Sequence, residues 1–109
     1  MPPGSAASVR MVFYRSLWGG LRVVWPILSV LLLLKVAMGL AIGALEGWGR
    51  FESIYFAFIT GLTIGYGDLV PSLVPARVLA VAIGFCGILL TGVVAALVVR
   101  ALQAAVPER

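Results

Sequence analysis

The residues of this chain best suited to chemistry are Thr63, Ile64, Gly65, Tyr66, Gly67 and Asp68, and the chemistry they suit is coordination of a dehydrated cation by main-chain oxygens. A cation stripped of water needs oxygens at fixed distance, and consecutive carbonyls can face one axis only in an unusual backbone conformation. Gly65 and Gly67 lack Cβ atoms and can take positive φ, so neighbouring peptide oxygens can turn the same way without steric penalty. The carbonyls of Thr63, Ile64, Gly65 and Tyr66, with the Thr63 hydroxyl at the inner end, would stack as rings when four chains assemble. Irregular backbone at membrane depth is tolerated where it lines such a pathway and is otherwise very costly. Other chemistries lack their residues. With no His and a single Cys86, the chain offers neither a metal-ligand cluster nor a nucleophile–base pair, and an enzyme reading has almost nothing to stand on.

The elements that must position this hexapeptide are apolar. The chain has 109 residues, 62% apolar and 11% charged, with a mean hydropathy of +1.15, which places it among integral membrane proteins. Residues 78–99 contain no charge, and at about 1.5 Å rise per residue they suffice to cross a hydrocarbon core of roughly 30 Å. A first span covers 23–45, with Pro26 near its start, where a missing donor is tolerated, and Lys35 as its one charge. A charge near mid-span costs roughly 2.5 to 3.5 kcal/mol on insertion scales, so Lys35 either snorkels to an interface or faces protein. A cleavable leader is disfavoured because this segment starts late, is too long and lacks a small-residue cleavage site.

Between the spans, Gly47, Trp48 and Gly49 form a tight turn, with Trp48 suited to the outer interface. Residues 51–62 are apolar and aromatic but too short to cross, which fits a re-entrant helix whose first turn carries Glu52 against the positive end of its dipole. Pro71 and Pro75 punctuate an extended return, and Arg77 opens the second span. The net charge of +4 reads as topology and not as affinity for nucleic acid. Arg10, Arg15 and Arg22 precede the first span and Arg100 and Arg109 follow the second, which puts both termini in the cytoplasm and the hexapeptide loop outside. Residues 1–8 read as frayed. Residues 9–21 interleave Val12, Phe13, Leu17 and Trp18 with arginines, as either a helix on the cytoplasmic membrane surface or a basic flank, and Gly19-Gly20 would let the chain turn before the first span. Cys86 reads as a buried thiol in an apolar helix.

Residues 63–68 resemble the selectivity filter of potassium channels, and helix, re-entrant helix, filter and helix together resemble a prokaryotic two-helix potassium channel. Asp68, Leu69 and Pro71 match the continuation of that motif, and Tyr55-Phe56 a pair on its pore helix. The resemblance implies an all-α membrane protein: segment 1–22, a pore domain 23–100 (outer helix 23–45, pore helix 51–62, filter 63–67, inner helix 77–100) and a tail 101–109. It implies a homotetramer of this chain with three further copies of itself, in a prokaryotic plasma membrane, conducting K+ with no cofactor beyond the permeant ion. Thr63, Ile64, Gly65, Tyr66 and Gly67 would line the ion path, and K+ would bind at the Thr63, Ile64, Gly65 and Tyr66 oxygens. Tyr66 would pack its ring against the pore helix, and Asp68 would support the filter by bonding a donor on that helix, with Tyr55 the best placed.

Gly87 falls where such channels place a hinge in the inner helix, and reads equally as a small residue for close helix packing. Three features depart from the family: Leu62 replaces a second threonine, Ile59 a buried glutamate, and the outer turn from Glu46 to Glu52 is short. Two rivals stand beside the channel reading. One is a pore-loop membrane subunit that does not conduct or does not select. The other is the pore fragment of a larger gated channel or transporter, since the chain stops shortly after Arg100.

Overall fold

The structure is a computed structural model that describes residues 5–106. Its elements are α1 (Ala6–Glu46), α2 (Arg50–Gly61) and α3 (Val74–Ala105). α1 and α3 are both long and apolar enough to cross a membrane, which makes this an all-α, multi-pass membrane protein. At about 1.5 Å per residue, the 41 residues of α1 extend about 60 Å, twice a hydrocarbon core, so its length alone requires that part of it lie outside the apolar layer.

The chain divides into two compact units. The first holds residues 5–28 with 92–106. Its opening helix is not frayed at 6–8: Ser5 caps it, accepting the Ser8 N–H on Oγ at 3.2 Å while the Ser5 carbonyl takes the Val9 N–H at 3.0 Å. The expectations for residues 1–4 and for Arg109 lie outside the described residues. Gly19-Gly20 does not break the helix. A Cβ on Gly20 would lie 2.8 Å from Leu97 Cδ2, so this glycine serves packing on α3 and not a turn. Pro26 sits inside α1 and not in a first turn, leaving the Arg22 carbonyl without its usual helical donor.

The second unit, residues 29–91, contains the hexapeptide. Its core is Ile42, Phe56, Ala57, Ala76 and Ile83, with Met38, Trp48, Leu69, Leu79 and Ala80 packed against it. Trp48 packs against this core, its ring 5.1 Å from that of Phe56.

α1 and α2 meet through small residues four apart. A Cβ on Gly39 would lie 2.7 Å from the Ala57 Cβ and 2.8 Å from the Ser53 carbonyl oxygen, and one on Gly43 would overlap the Ser53 hydroxyl. This pairing of Gly-x-x-x-Gly with Ser-x-x-x-Ala brings the backbones together, and dispersion contacts accumulate where hydrophobic driving force is weak. Ser53 is buried there at 2% exposure, and its hydroxyl donates to the Gly49 carbonyl at 2.8 Å, so no polar group is stranded. Pro75 lies in the first turn of α3 and not on an extended return, because the donor it lacks is one that a helix start leaves unpaired anyway.

Candidate functional site

The hexapeptide leaves α2 through a C-terminal cap. Leu62 N–H still donates to Phe58 O at 2.9 Å, but Thr63 N–H turns to Thr60 O at 3.1 Å and Ile64 N–H to Ile59 O at 2.8 Å. These two bonds make a Schellman motif, whose residue beyond the cap takes the left-handed region and is usually glycine. Here that residue is Thr63, at φ 61°. A β-branched residue in this region is a backbone outlier costing on the order of 1–3 kcal/mol, of the kind that clusters at functional sites.

The same bonds orient the carbonyls. Gly65 N–H also donates to Ile59 O, at 3.2 Å, so the N–H groups of Ile64 and Gly65 converge on one oxygen. In a trans peptide the carbonyl points opposite to the N–H that shares its plane, and no peptide among the described residues is cis. The carbonyls of Thr63 and Ile64 therefore point together, away from α2. Gly65 (φ 56°) and Gly67 (φ 83°) hold the positive φ that the sequence reading required of them. The Thr63 hydroxyl donates to the Leu62 carbonyl at 2.6 Å.

Beyond the glycines the loop is pinned at three points. Tyr55 Oη donates to Asp68 Oδ2 at 2.9 Å, and Leu69 N–H donates to Asp68 Oδ1 at 3.1 Å. The Asp68 carboxylate holds the Tyr55 phenol above its ordinary value, because it accepts the proton that ionisation would remove. The Phe51 ring lies nearly parallel to that of Tyr55, with 6.4 Å between centroids. Glu46, the last residue of α1, accepts the Ser72 hydroxyl at 2.8 Å and the N–H groups of Ser72 and Leu73, the latter at 2.9 Å. Its carboxylate thereby lies at the positive end of α3. Arg77 Nε donates to the Pro71 carbonyl at 3.1 Å. The Glu46 bridge was not legible in the sequence, where an acid beside a turn looks like any solvated one.

Other expected residues are placed as follows. Tyr66 is 70% exposed in the single chain. Gly87 touches the last residue of α2: a Cβ there would fall on the Gly61 carbonyl, which is the geometry of a packing glycine. Lys35 faces protein and does not snorkel. It is 3% exposed, with Nζ 4.2 Å from the centre of the Phe58 ring.

Two spanning-length helices joined through a short helix and a carbonyl-presenting loop define a membrane protein of the pore-loop class. The Ion channel family matches residues 27–104, most of the chain, and the chain belongs to it. This is a family of non-catalytic proteins. Among curated proteins, the chain is similar to "Potassium channel subfamily K member 13" of Rattus norvegicus (43% identical over 61 residues, 52% of this chain and 15% of the relative). It is similar to "Two-pore potassium channel 1" of Arabidopsis thaliana at 46% over 44 residues, 40% of this chain and 12% of the relative. "Two pore potassium channel b" of Oryza sativa subsp. japonica matches at 36% over 69 residues, 61% of this chain and 20% of the relative. The chain thus spans a fifth or less of the length of these relatives. No solved structure gives a significant match.

Proposed function

We propose that four copies of this chain form a potassium-selective pore that passes K+ down its electrochemical gradient. The observation that carries the reading is the convergence of the Ile64 and Gly65 N–H groups on Ile59 O, which aims the Thr63 and Ile64 carbonyls one way. The positive φ of Gly65 and Gly67 extends the line to the Gly65 and Tyr66 oxygens. These four carbonyls replace the hydration shell, and several sites in line keep any one ion from binding too tightly to leave. In this reading α2 is the pore helix of segment 51–62, the filter is 63–67, and segments 23–45 and 77–100 are the outer and inner helices. Both termini are cytoplasmic, the membrane is a prokaryotic plasma membrane, and Tyr55 and Asp68 support the filter.

Assembly with further protein is supported by exposure. Residues 62–68 are exposed throughout in the single chain, and exposed irregular backbone is not tolerated in lipid, so other protein must surround it. A pore unit of a longer assembly is the second reading, favoured by the small share of each relative that the chain matches.

The test is the reversal potential of the purified full chain in planar bilayers under opposed K+ and Na+ gradients. It should follow the K+ gradient, and Gly65→Ala should abolish that preference. Equal sodium permeation would remove selectivity, and a stable tetramer without current would make the chain a non-conducting subunit.

A further inference from the structure

Lys35 is a buried cation that the channel reading does not use. It reaches the last turn of α2 from α1: a Cβ on Gly61 would lie 2.7 Å from Lys35 Cδ and 3.4 Å from Nζ, so the lysine stem lies across the face where this glycine has no side chain. Nζ sits over the Phe58 ring at 4.2 Å, one turn back on the same helix. Both contacts are at the C-terminal end of α2, where the aligned peptide dipoles give the helix its negative pole. The ring face attracts the cation as well, and a site out of water strengthens both interactions. Ile59, whose carbonyl collects the N–H groups of Ile64 and Gly65, lies between Phe58 and Gly61 in this turn. The ammonium thus shares a helix turn with the anchor of the filter.

We propose that Lys35 is a positioning residue for permeation: its buried charge partly neutralises the C-terminal pole of α2 and lowers the attraction of the inner filter mouth for cations. The inference rests on the channel reading. In a tetramer, four such helix ends aimed at one axis would hold a cation strongly, and a dwell that is too long slows conduction. Four ammonium groups behind those ends offset part of that pull without entering the ion path. Phe58 and the open face of Gly61 keep the charge in place.

The experiment compares wild type with Lys35→Met, Lys35→Gln and Lys35→Arg, all full length, by single-channel recording in planar bilayers with Ba2+ added to the inner face. Ba2+ has nearly the radius of K+ and twice its charge, so it reports the electrostatic depth of the site. Removing the charge in Lys35→Met and Lys35→Gln should tighten Ba2+ block about three- to tenfold, while Lys35→Arg keeps block close to wild type. Unchanged block in both uncharged variants would overturn the proposal. Failure of both to form tetramers, with Lys35→Arg normal, would also overturn it, by assigning the charge to folding. If wild type itself passes no K+ current, the channel reading fails first, and the two failures are told apart in the same recordings.

Discussion

α2 and the loop that leaves it share a few ångströms of backbone and treat their polar groups in opposite ways. α2 is held by close contacts: Gly39 and Gly43 against Ser53 and Ala57 on one side, Gly87 against Gly61 on another, with Phe56, Ala57 and Ile59 buried. The loop at 62–68 is exposed throughout and owes its shape to N–H groups directed back at α2. The division suits the proposed role of the loop as an oxygen donor set for a large, weakly bound cation. The support has to be packed tightly enough to fix position, while the carbonyls have to be left unpaired so that they can exchange water for an ion.

The packed side should break first. Gly87→Ala places a methyl on the Gly61 carbonyl, a backbone atom that cannot swing away, and should cost about 3 kcal/mol, at the upper end of overpacking penalties. Thermal unfolding of the detergent-solubilised protein reads this. A midpoint like that of wild type would show that α3 can move off α2, which is what a hinge at Gly87 needs.

On the loop side the sign reverses. Thr63→Gly relieves the left-handed strain and should stabilise the chain by up to about 1 kcal/mol, while K+ over Na+ selectivity falls. A destabilised variant would mean that Thr63 is not strained and that its hydroxyl bond dominates. Glu46→Gln, which removes the charge that collects three donors ahead of α3, should lower the midpoint by a few degrees, and high salt should shrink the difference.

The smallest effect belongs to Tyr55. A phenol whose folded value is raised contributes stability that is complete below its unfolded value and lost as pH rises through the folded one. Alkaline titration should therefore weaken the Tyr55–Asp68 tie only above the ordinary tyrosine range. Tyr55→Phe should have a slightly lower midpoint and lack that alkaline step in a pH series of melts. An identical step in the variant would assign it to another group.

Much of the site could be read from residue types. Gly65 and Gly67 announced positive φ because only glycine takes it freely, and a hydrogen bond between Tyr55 and Asp68 could be anticipated once the motif was matched. Thr63 at φ 61° could not, since a β-branched residue argues against that conformation and only the cap of α2 imposes it. The direction of Lys35 was open for a similar reason: a lysine in an apolar run has two ways out, and composition does not choose between them. Gly20 looked like a turn because the helix that packs on it, α3, is distant in sequence.

Hydropathy and length alone determined that two helices are able to cross a membrane, and the glycine spacing determined where the backbone could turn its oxygens, because burial cost and steric freedom are properties of the residues themselves. Tertiary structure decided which side of α1 meets α2, that Gly87 rests on Gly61, and that a lysine charge ends beside the last turn of α2. Those outcomes depend on which surfaces fit at backbone distance, a relation between segments that no single segment encodes.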